Sequence, residues 1–247
     1  MPPRFYAPEL RPDSTSVVLP HDEAEHLTRV MRLGAGATVR AFDGRGFECL
    51  ARVVQAERSE VRLEMVEPVE PAPEPRVRIT LAQAVLKGDK MDGLIRDAVM
   101  LGVAAVHPLL TARTDVPPAA LASGHRLDRW RRIVVASVKQ CGRAVVPEVV
   151  AAETLDACLA SPHEGFRVML VEPGAAAGVA TAEEMRGHGG MAAAQLFVGP
   201  EGGWTPEEVA AAREAGCLLV TLGRRTLRAD TTPLIAIGVL QFLWGDL

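Results

Sequence analysis

Leu196-Phe-Val-Gly-Pro-Glu-Gly-Gly-Trp-Thr-Pro-Glu-Glu208 runs from a short apolar segment into a glycine-rich turn and then into the start of a helix. The apolar segment does not alternate with polar residues, which is how strands buried on both faces read. Thr205 is the residue type of an N-cap and Pro206 suits the first helical position. Glu208, three residues after Thr205, completes a capping box, and Gly216 is placed to end the helix. In open α/β sheets, ligands lie beyond the carboxyl ends of the strands. Gly199, Gly202 and Gly203 would let a ligand approach the backbone there. No Gly-Lys-Ser/Thr follows, so this is not a P-loop, and the pattern is not G-x-G-x-x-G. Taken alone, the stretch serves equally well as a tight strand-to-helix turn.

Downstream, the same layout recurs in Leu222-Gly-Arg-Arg-Thr-Leu-Arg-Ala-Asp-Thr-Thr-Pro233. A buried strand, Leu218–Leu222, runs into a glycine and a loop with three arginines and Asp230. A helix then opens with Thr232 as N-cap and Pro233 at its first position. Two such loops at two strand ends can enclose one ligand, although for any single arginine a solvated loop is the default reading. Upstream, Val77–Val85 and Val103–Leu110 read as strands flanking a helix at Asp89–Leu101, and Arg167–Val171 as a further buried strand. A helix at Asp128–Cys141 places Trp130, Ile133, Val134, Ser137, Val138 and Cys141 on one stripe, with Arg129, Arg131 and Arg132 off it. The Ala/Gly-rich stretch Gly174–Ala194 reads as a loop with one short helix. Alternating strand and helix predict an α/β domain with a mainly parallel sheet.

Further upstream, Glu67-Pro-Val-Glu-Pro-Ala-Pro-Glu-Pro75 holds four prolines in nine residues. That density fixes φ and removes donors, so the stretch reads as a stiff linker. Before it, Thr15–Leu19, Thr38–Phe42, Phe47–Val54 and Glu60–Val66 read as short strands. Asp43-Gly44 supplies a turn, and one helix spans Asp22–Leu33. Several strands in so short a span predict a small barrel. The expected division is residues 1–70, a linker at 71–75, and a second domain at 76–247.

The remaining composition mostly excludes functions. Of 247 residues, 48% are hydrophobic and 23% charged, as in ordinary globular chains. No apolar stretch approaches the roughly 20 residues of a membrane span. The N-terminus carries Pro2, Pro3 and Pro8 and lacks a signal-peptide core, so the expected location is cytoplasmic. Cys49, Cys141, Cys158 and Cys217 are scattered, with no C-x-x-C, which speaks for reduced, buried thiols. His21 and His26, five helical residues apart, point about 140° apart, so no metal site is expected. The net charge of −4 sits in the first 75 residues, where 9 Lys and Arg face 13 Asp and Glu. The later residues balance.

These motifs, in this order, resemble the RsmE family of 16S rRNA methyltransferases. Gly199–Gly203, Leu222–Arg228 and Asp230-Thr-Thr232 are similar to its cofactor loops, and Gln140-Cys-Gly-Arg143 with Pro147-Glu148 is similar to a further motif. Arg4-Phe-Tyr6, His26–Arg32 and Phe42-Asp-Gly44 resemble its PUA-like domain. Gln83 and Lys87–Met91 resemble the opening of its catalytic domain. The resemblance implies a SPOUT fold with a C-terminal trefoil knot, S-adenosylmethionine (SAM) as cofactor, a homodimer, and 3-methyluridine in 16S rRNA as product. It assigns the cofactor pocket to Leu170, Glu172, Gly199, Pro200, Glu201, Gly202, Leu222, Gly223, Leu227 and Arg228. Loss of the uridine imide proton needs a base and cationic donors for the resulting anion, which puts catalysis on Arg228, Asp230, Thr231 and Arg143, with Asp230 or Glu201 the candidate base. The resemblance places RNA contact on Arg4, Arg29, Arg32, Lys87, Lys139 and Arg143. Lys139, Asp230, Pro233 and Trp204 depart from the family's usual Glu, Glu, Ala, and Phe or Leu. The competing readings are a related enzyme acting on another RNA such as tRNA, and a non-catalytic ribosome-assembly protein.

Overall fold

A computed structural model describes residues 2–57, 60–117, 119–122, 124–175, 177–181, 183–188 and 191–245. It divides into unit 1, Met1–Glu74 with Val135–Val146, and unit 2, Pro75–Val134 with Pro147–Leu247.

Unit 1 holds five strands: β1 (Arg4–Tyr6), β2 (Ser16–Val18), β3 (Thr38–Phe42), β4 (Glu48–Ala56) and β5 (Val61–Pro68). Their order is β1-β3-β4-β5-β2, antiparallel except for the β1–β3 pair. Register shifts at Leu50/Ala51 and Val53/Gln55 interrupt the β4–β5 ladder, and such irregularities bend a sheet. The inward residues Phe5, Val39, Ala41, Ala51, Val53 and Leu63 build a core with Leu10 and Leu27. The expected helix at Asp22–Leu33 is two pieces, α1 (His21–Glu25) and a π-turn at His26–Val30. Arg32 then takes φ +53, the left-handed region, and the chain turns away. β5 extends into the proline-rich segment, with Pro68 as its last residue opposite Cys49. A strand end tolerates the missing N–H.

Unit 2 contains β6 (Arg78–Ala84), α2 (Lys90–Met100), β7 (Ala105–Leu110) and α3 (Ala119–Ala122). Then comes α4 (His125–Cys141), whose residues from Val135 belong to unit 1. β8 (Glu148–Val149), β9 (Glu153–Thr154), α5 (Leu155–Ala160), β10 (Phe166–Leu170) and β11 (Ala180–Thr181) follow. β12 (Ala193–Val198), α6 (Pro206–Glu214), β13 (Leu218–Thr221) and α7 (Thr232–Trp244) end the chain. All pairings are parallel, in the order β11-β13-β10-β12-β6-β7-β8, with β9 also on β7. α7 packs with α2 and against β6 and β12. α5 and α6 close a second core around Phe197, Met169 and Leu219. The 174–194 stretch carries β11 and a 3-10 turn at Glu184–His188, with residues 176, 182, 189 and 190 outside the described set. The expected N-cap Thr232 is the first residue inside α7, one position late, and Thr231 is the cap.

The strand order positions the site. β10 lies between β12 and β13, although both follow it in the chain. The exits of these three strands are therefore neighbours at a reversal of strand order, where open parallel sheets leave a crevice.

Candidate active site

Each strand exit is shaped by its own residues. After β12, the turn closes with Gly203 N–H donating to Pro200 O at 3.0 Å. Gly203 has φ +69, and a Cβ there would meet Glu172 Oε1 at 3.3 Å. A Cβ on Gly199 would meet the Trp204 ring at 3.2 Å. Trp204 Nε1 donates to Leu170 O at 2.8 Å, tying the β12 exit to the end of β10. Helix α6 then starts on the expected capping box: Thr205 N–H donates to Glu208 Oε2 at 2.8 Å, and Glu208 N–H donates to Thr205 Oγ1 at 3.2 Å. From below, buried Gln83 Nε2 donates to Ala84 O at 2.9 Å and to Gly199 O at 3.4 Å.

Together the exits line a cleft of about 280 Å³, near the lower end of roughly 300–1,000 Å³ for small-molecule sites. β10 supplies Leu170 and Glu172, β12 supplies Gly199, Pro200 and Glu201, and β13 supplies Leu222, Leu227, Arg228 and Asp230. Of the residues expected at the pocket and reaction centre, four are not on its wall: Gly202, Gly223, Thr231 and Arg143. Gly202 faces Arg113, whose guanidinium donates to Gly202 O at 2.9 Å. The Gly223 carbonyl accepts from Thr221 Oγ1 at 3.0 Å. Thr231 reaches the site through Asp230, donating from Oγ1 to Oδ1 at 3.3 Å. Sequence reading missed Lys90 and Thr221, which line the cleft, and noted Trp204 only as a departure. Lys90 lies inside the Lys87–Met91 motif without having been assigned to the cleft, and an indole directly after the glycine turn is a legible signal.

The cleft's two candidate bases are both paired with cations. Arg228 grips Asp230 with two hydrogen bonds, Nε to Oδ1 at 3.0 Å and an Nη to Oδ2 at 2.6 Å. That contact outweighs burial and holds the Asp230 carboxyl below its ordinary range, and it raises Arg228. Burial alone would push the Glu201 carboxyl up. The Lys90 ammonium at 2.8 Å and backbone hydrogen bonds bring it below its ordinary value instead. The wall thus combines apolar leucines with three carboxylates, Glu172, Glu201 and Asp230, and three cations, Lys90, Arg225 and Arg228.

The remaining expected residues divide by exposure. Arg4 is interior: its guanidinium donates to both Glu48 oxygens and to the carbonyls of Val138, Lys139 and Arg143. A cation at those carbonyls caps the end of α4. Arg143 is buried and ion-paired with Glu74. Lys139 donates to both Glu23 oxygens, at 3.0 and 2.7 Å, and lies over the Phe5 ring. All three are engaged by acids or carbonyls within unit 1. Arg29, Arg32 and Lys87 are exposed; Arg29 pairs with Glu25, and Lys87 with Asp115 at 2.6 Å.

Comparison with known proteins bears on this cleft. Residues 73–241 match the model of an RNA methyltransferase domain, and residues 19–66 that of an RNA methyltransferase PUA domain. The chain is 32% identical over 237 residues to Ribosomal RNA small subunit methyltransferase E of Synechocystis sp., covering 96% of this chain and 76% of that relative. It is 32% identical over 254 residues to the protein of the same name from Mycobacterium bovis, covering 97% and 91%. The crystal structure of a Ribosomal RNA small subunit methyltransferase E from Neisseria gonorrhoeae bound to S-adenosyl methionine matches with TM-score 0.88 and 35% identity, over 100% of both chains.

Proposed function

Because this chain belongs to the RNA methyltransferase family, we propose that its C-terminal cleft binds SAM and that it methylates ribosomal RNA of the small subunit, at N3 of a uridine in 16S rRNA. The observation that carries this reading is the meeting of the β10, β12 and β13 exits around one cleft. A SAM-bound relative of the same fold supports it.

SAM supplies a methyl group on a cationic sulfur, ready for in-line transfer. Leu170, Leu222 and Leu227 would form apolar walls for an adenine, and Gly199 and Pro200 line the cleft with them. Glu172, which lines the cleft, would hold the positively charged part of the cofactor. Uridine N3 must lose its imide proton, and the resulting charge spreads onto O2 and O4. Asp230 accepts that proton once Arg228 turns from it to a uracil oxygen, so one movement frees the base and stabilises the anion. Thr231, already bonded to Asp230, steers it. Glu201 is the poorer base because Lys90 holds it. Buried against Glu74, Arg143 does not fit an anion-stabilising role, and Arg228 takes that role alone.

Unit 1 carries the RNA-holding surface, with Arg29 and Arg32 exposed there and Lys87 exposed on unit 2. The RNA is held there through shape and backbone contacts. The threading of β10 between two later strands supports a trefoil knot. Helix α7 is apolar on nearly every side, with Ile235 and Phe242 exposed at 40% and 66%. Such a helix is ordinarily buried, and a second copy of the chain would cover it. No helix among the described residues is long and apolar enough to cross a membrane. A substrate in the small ribosomal subunit supports a cytoplasmic location.

The test pairs SAM calorimetry with methylation of small subunits from a strain lacking this protein, followed by nucleoside mass spectrometry. One 3-methyluridine per subunit is expected. Methyl transfer to tRNA but not to subunits would move the substrate. SAM binding with no transfer to any RNA would leave a binding factor, and no SAM binding would end the reading. Within the mechanism, Asp230→Asn should lower the transfer rate far more than SAM affinity, and an unchanged rate removes Asp230 as the base.

A further inference from the structure

We propose that His107, Glu153 and Cys158 form a second site in unit 2, for a divalent metal of the zinc class. His107 stands on β7, Glu153 on β9 paired to it, and Cys158 on α5. One ligand atom from each lies within 4.8 Å of the other two. A nitrogen, a carboxylate oxygen and a sulfur are the donors zinc takes, with a fourth position left for water.

His107 Nδ1 is buried and has no hydrogen-bond partner, yet it lies 3.4 Å from Glu153 Oε1. That separation matches the edge of a tetrahedron whose metal–ligand bonds are about 2.0–2.2 Å, roughly 3.3–3.6 Å. Cys158 is fully buried, and Gln195 Nε2 donates to its sulfur at 3.4 Å. Gln195 is itself oriented, its Oε1 accepting from buried Arg167 Nε at 3.0 Å. Arg167 is fixed by the carbonyls of Leu159 and Ser161, at 2.8 and 3.1 Å. An N–H donor to sulfur, held by a second layer, is the support that metal thiolates receive. His107 and Gln195 also line a cleft with Thr80 and Glu164, which gives an ion a route. Binding forms the metal–sulfur bond and releases the thiol proton to solvent. Without the ion, burial and the Glu153 carboxylate push that thiol up to about 12. The site shares no residue with the cofactor cleft, so it stands whatever that cleft binds.

The experiment titrates chelator-stripped full-length protein with Co²⁺. One equivalent should bring the visible bands of tetrahedral cobalt and a thiolate-to-cobalt charge-transfer band, both abolished by one equivalent of Zn²⁺. Cys158→Ser should lose the charge-transfer band, whereas Cys217→Ser, which removes another buried thiol of the same core, should keep it. Gln195→Leu should weaken Co²⁺ binding about 10–100-fold. No charge-transfer band in the wild-type chain, or one that survives Cys158→Ser, overturns the site. Should Cys158→Ser fail to fold, His107→Gln decides the same question: unchanged Co²⁺ affinity overturns the proposal, and a loss of tenfold or more upholds it.

Discussion

Replacing Gly203 by alanine tests whether the β12 turn shapes the cofactor site or merely connects strand to helix. Gly203 has φ +69, and an L-residue in that region costs about 1–2 kcal/mol. For a chain of this size each kcal/mol lowers Tm by about 2–4 °C, so a fall of about 2–8 °C is expected. The new Cβ also meets Glu172 Oε1 at 3.3 Å, a few tenths of an ångström inside ordinary contact. The carboxylate must move, and Glu172 lines the cleft. Losing one charge-assisted hydrogen bond to the cofactor costs about 1.5–3 kcal/mol, or roughly tenfold to a hundredfold in SAM affinity.

Gly216 is the control. It has φ +80 at the end of α6, and a Cβ there meets nothing within 4 Å. Gly216→Ala therefore carries a similar backbone cost without touching Glu172. Calorimetry with SAM and thermal melts on both variants separate the two effects. Both should melt early, and only Gly203→Ala should bind SAM weakly. Glu172→Gln should reproduce the affinity loss without the backbone cost, and the double variant should fall short of additivity because both act on one group. If Gly203→Ala keeps SAM affinity within about twofold while its Tm falls, Glu172 does not hold the cofactor. Equal affinity losses at Gly203 and Gly216 would refute the geometric argument altogether.

Arg4→Ala removes the closer of two arginines from Glu48, which is 1% exposed, and leaves Arg40 at 3.7 Å; breaking a buried pair costs about 3–5 kcal/mol, and a large drop in Tm with SAM affinity unchanged is expected. A stable Arg4→Ala chain that loses only RNA affinity would return Arg4 to the RNA surface. Phe242→Asp places a charge on the exposed face of α7 and should give a monomer by light scattering, and an unchanged mass moves the dimer contact elsewhere. Burial raises the thiols of Cys49 and Cys217 to about 11 and of Cys158 to about 12. Raised acids leave the native state fully stable below the unfolded thiol pKa and destabilise it as pH rises through the folded values. Denaturant midpoints should thus fall from about pH 9 toward 12, and less steeply in Cys217→Ser. A flat profile there would contradict thiol burial.

Unit 2 was legible where local chemistry decides. The three buried strands at the site lie within about two residues of their apolar runs, and the Thr205 capping box forms as read. Unit 1 was less so, because its order rests on partners distant in the chain. β1 is three residues long and exists through parallel pairing with β3, which no local pattern announces. The periodicity of 22–33 does suggest one helix, but nothing in it marks the π-turn or the left-handed Arg32. Arg4 and Arg143 look like surface cations until Glu48 and Glu74 are found beside them.

Lys139 shows how a charge that looks functional in sequence is resolved by structure. In sequence a lysine at this position invites a phosphate. In the fold it is mostly buried, with Glu23, 116 residues away, as its partner and the Phe5 ring beneath it. A charge that has left water is held by what replaces the water, and that partner belongs to another part of the chain. The cleft escapes this difficulty for a topological reason. Its three walls each follow a strand exit, so each is written in a short contiguous stretch. Only their convergence, set by β10 lying between β12 and β13, had to come from the fold.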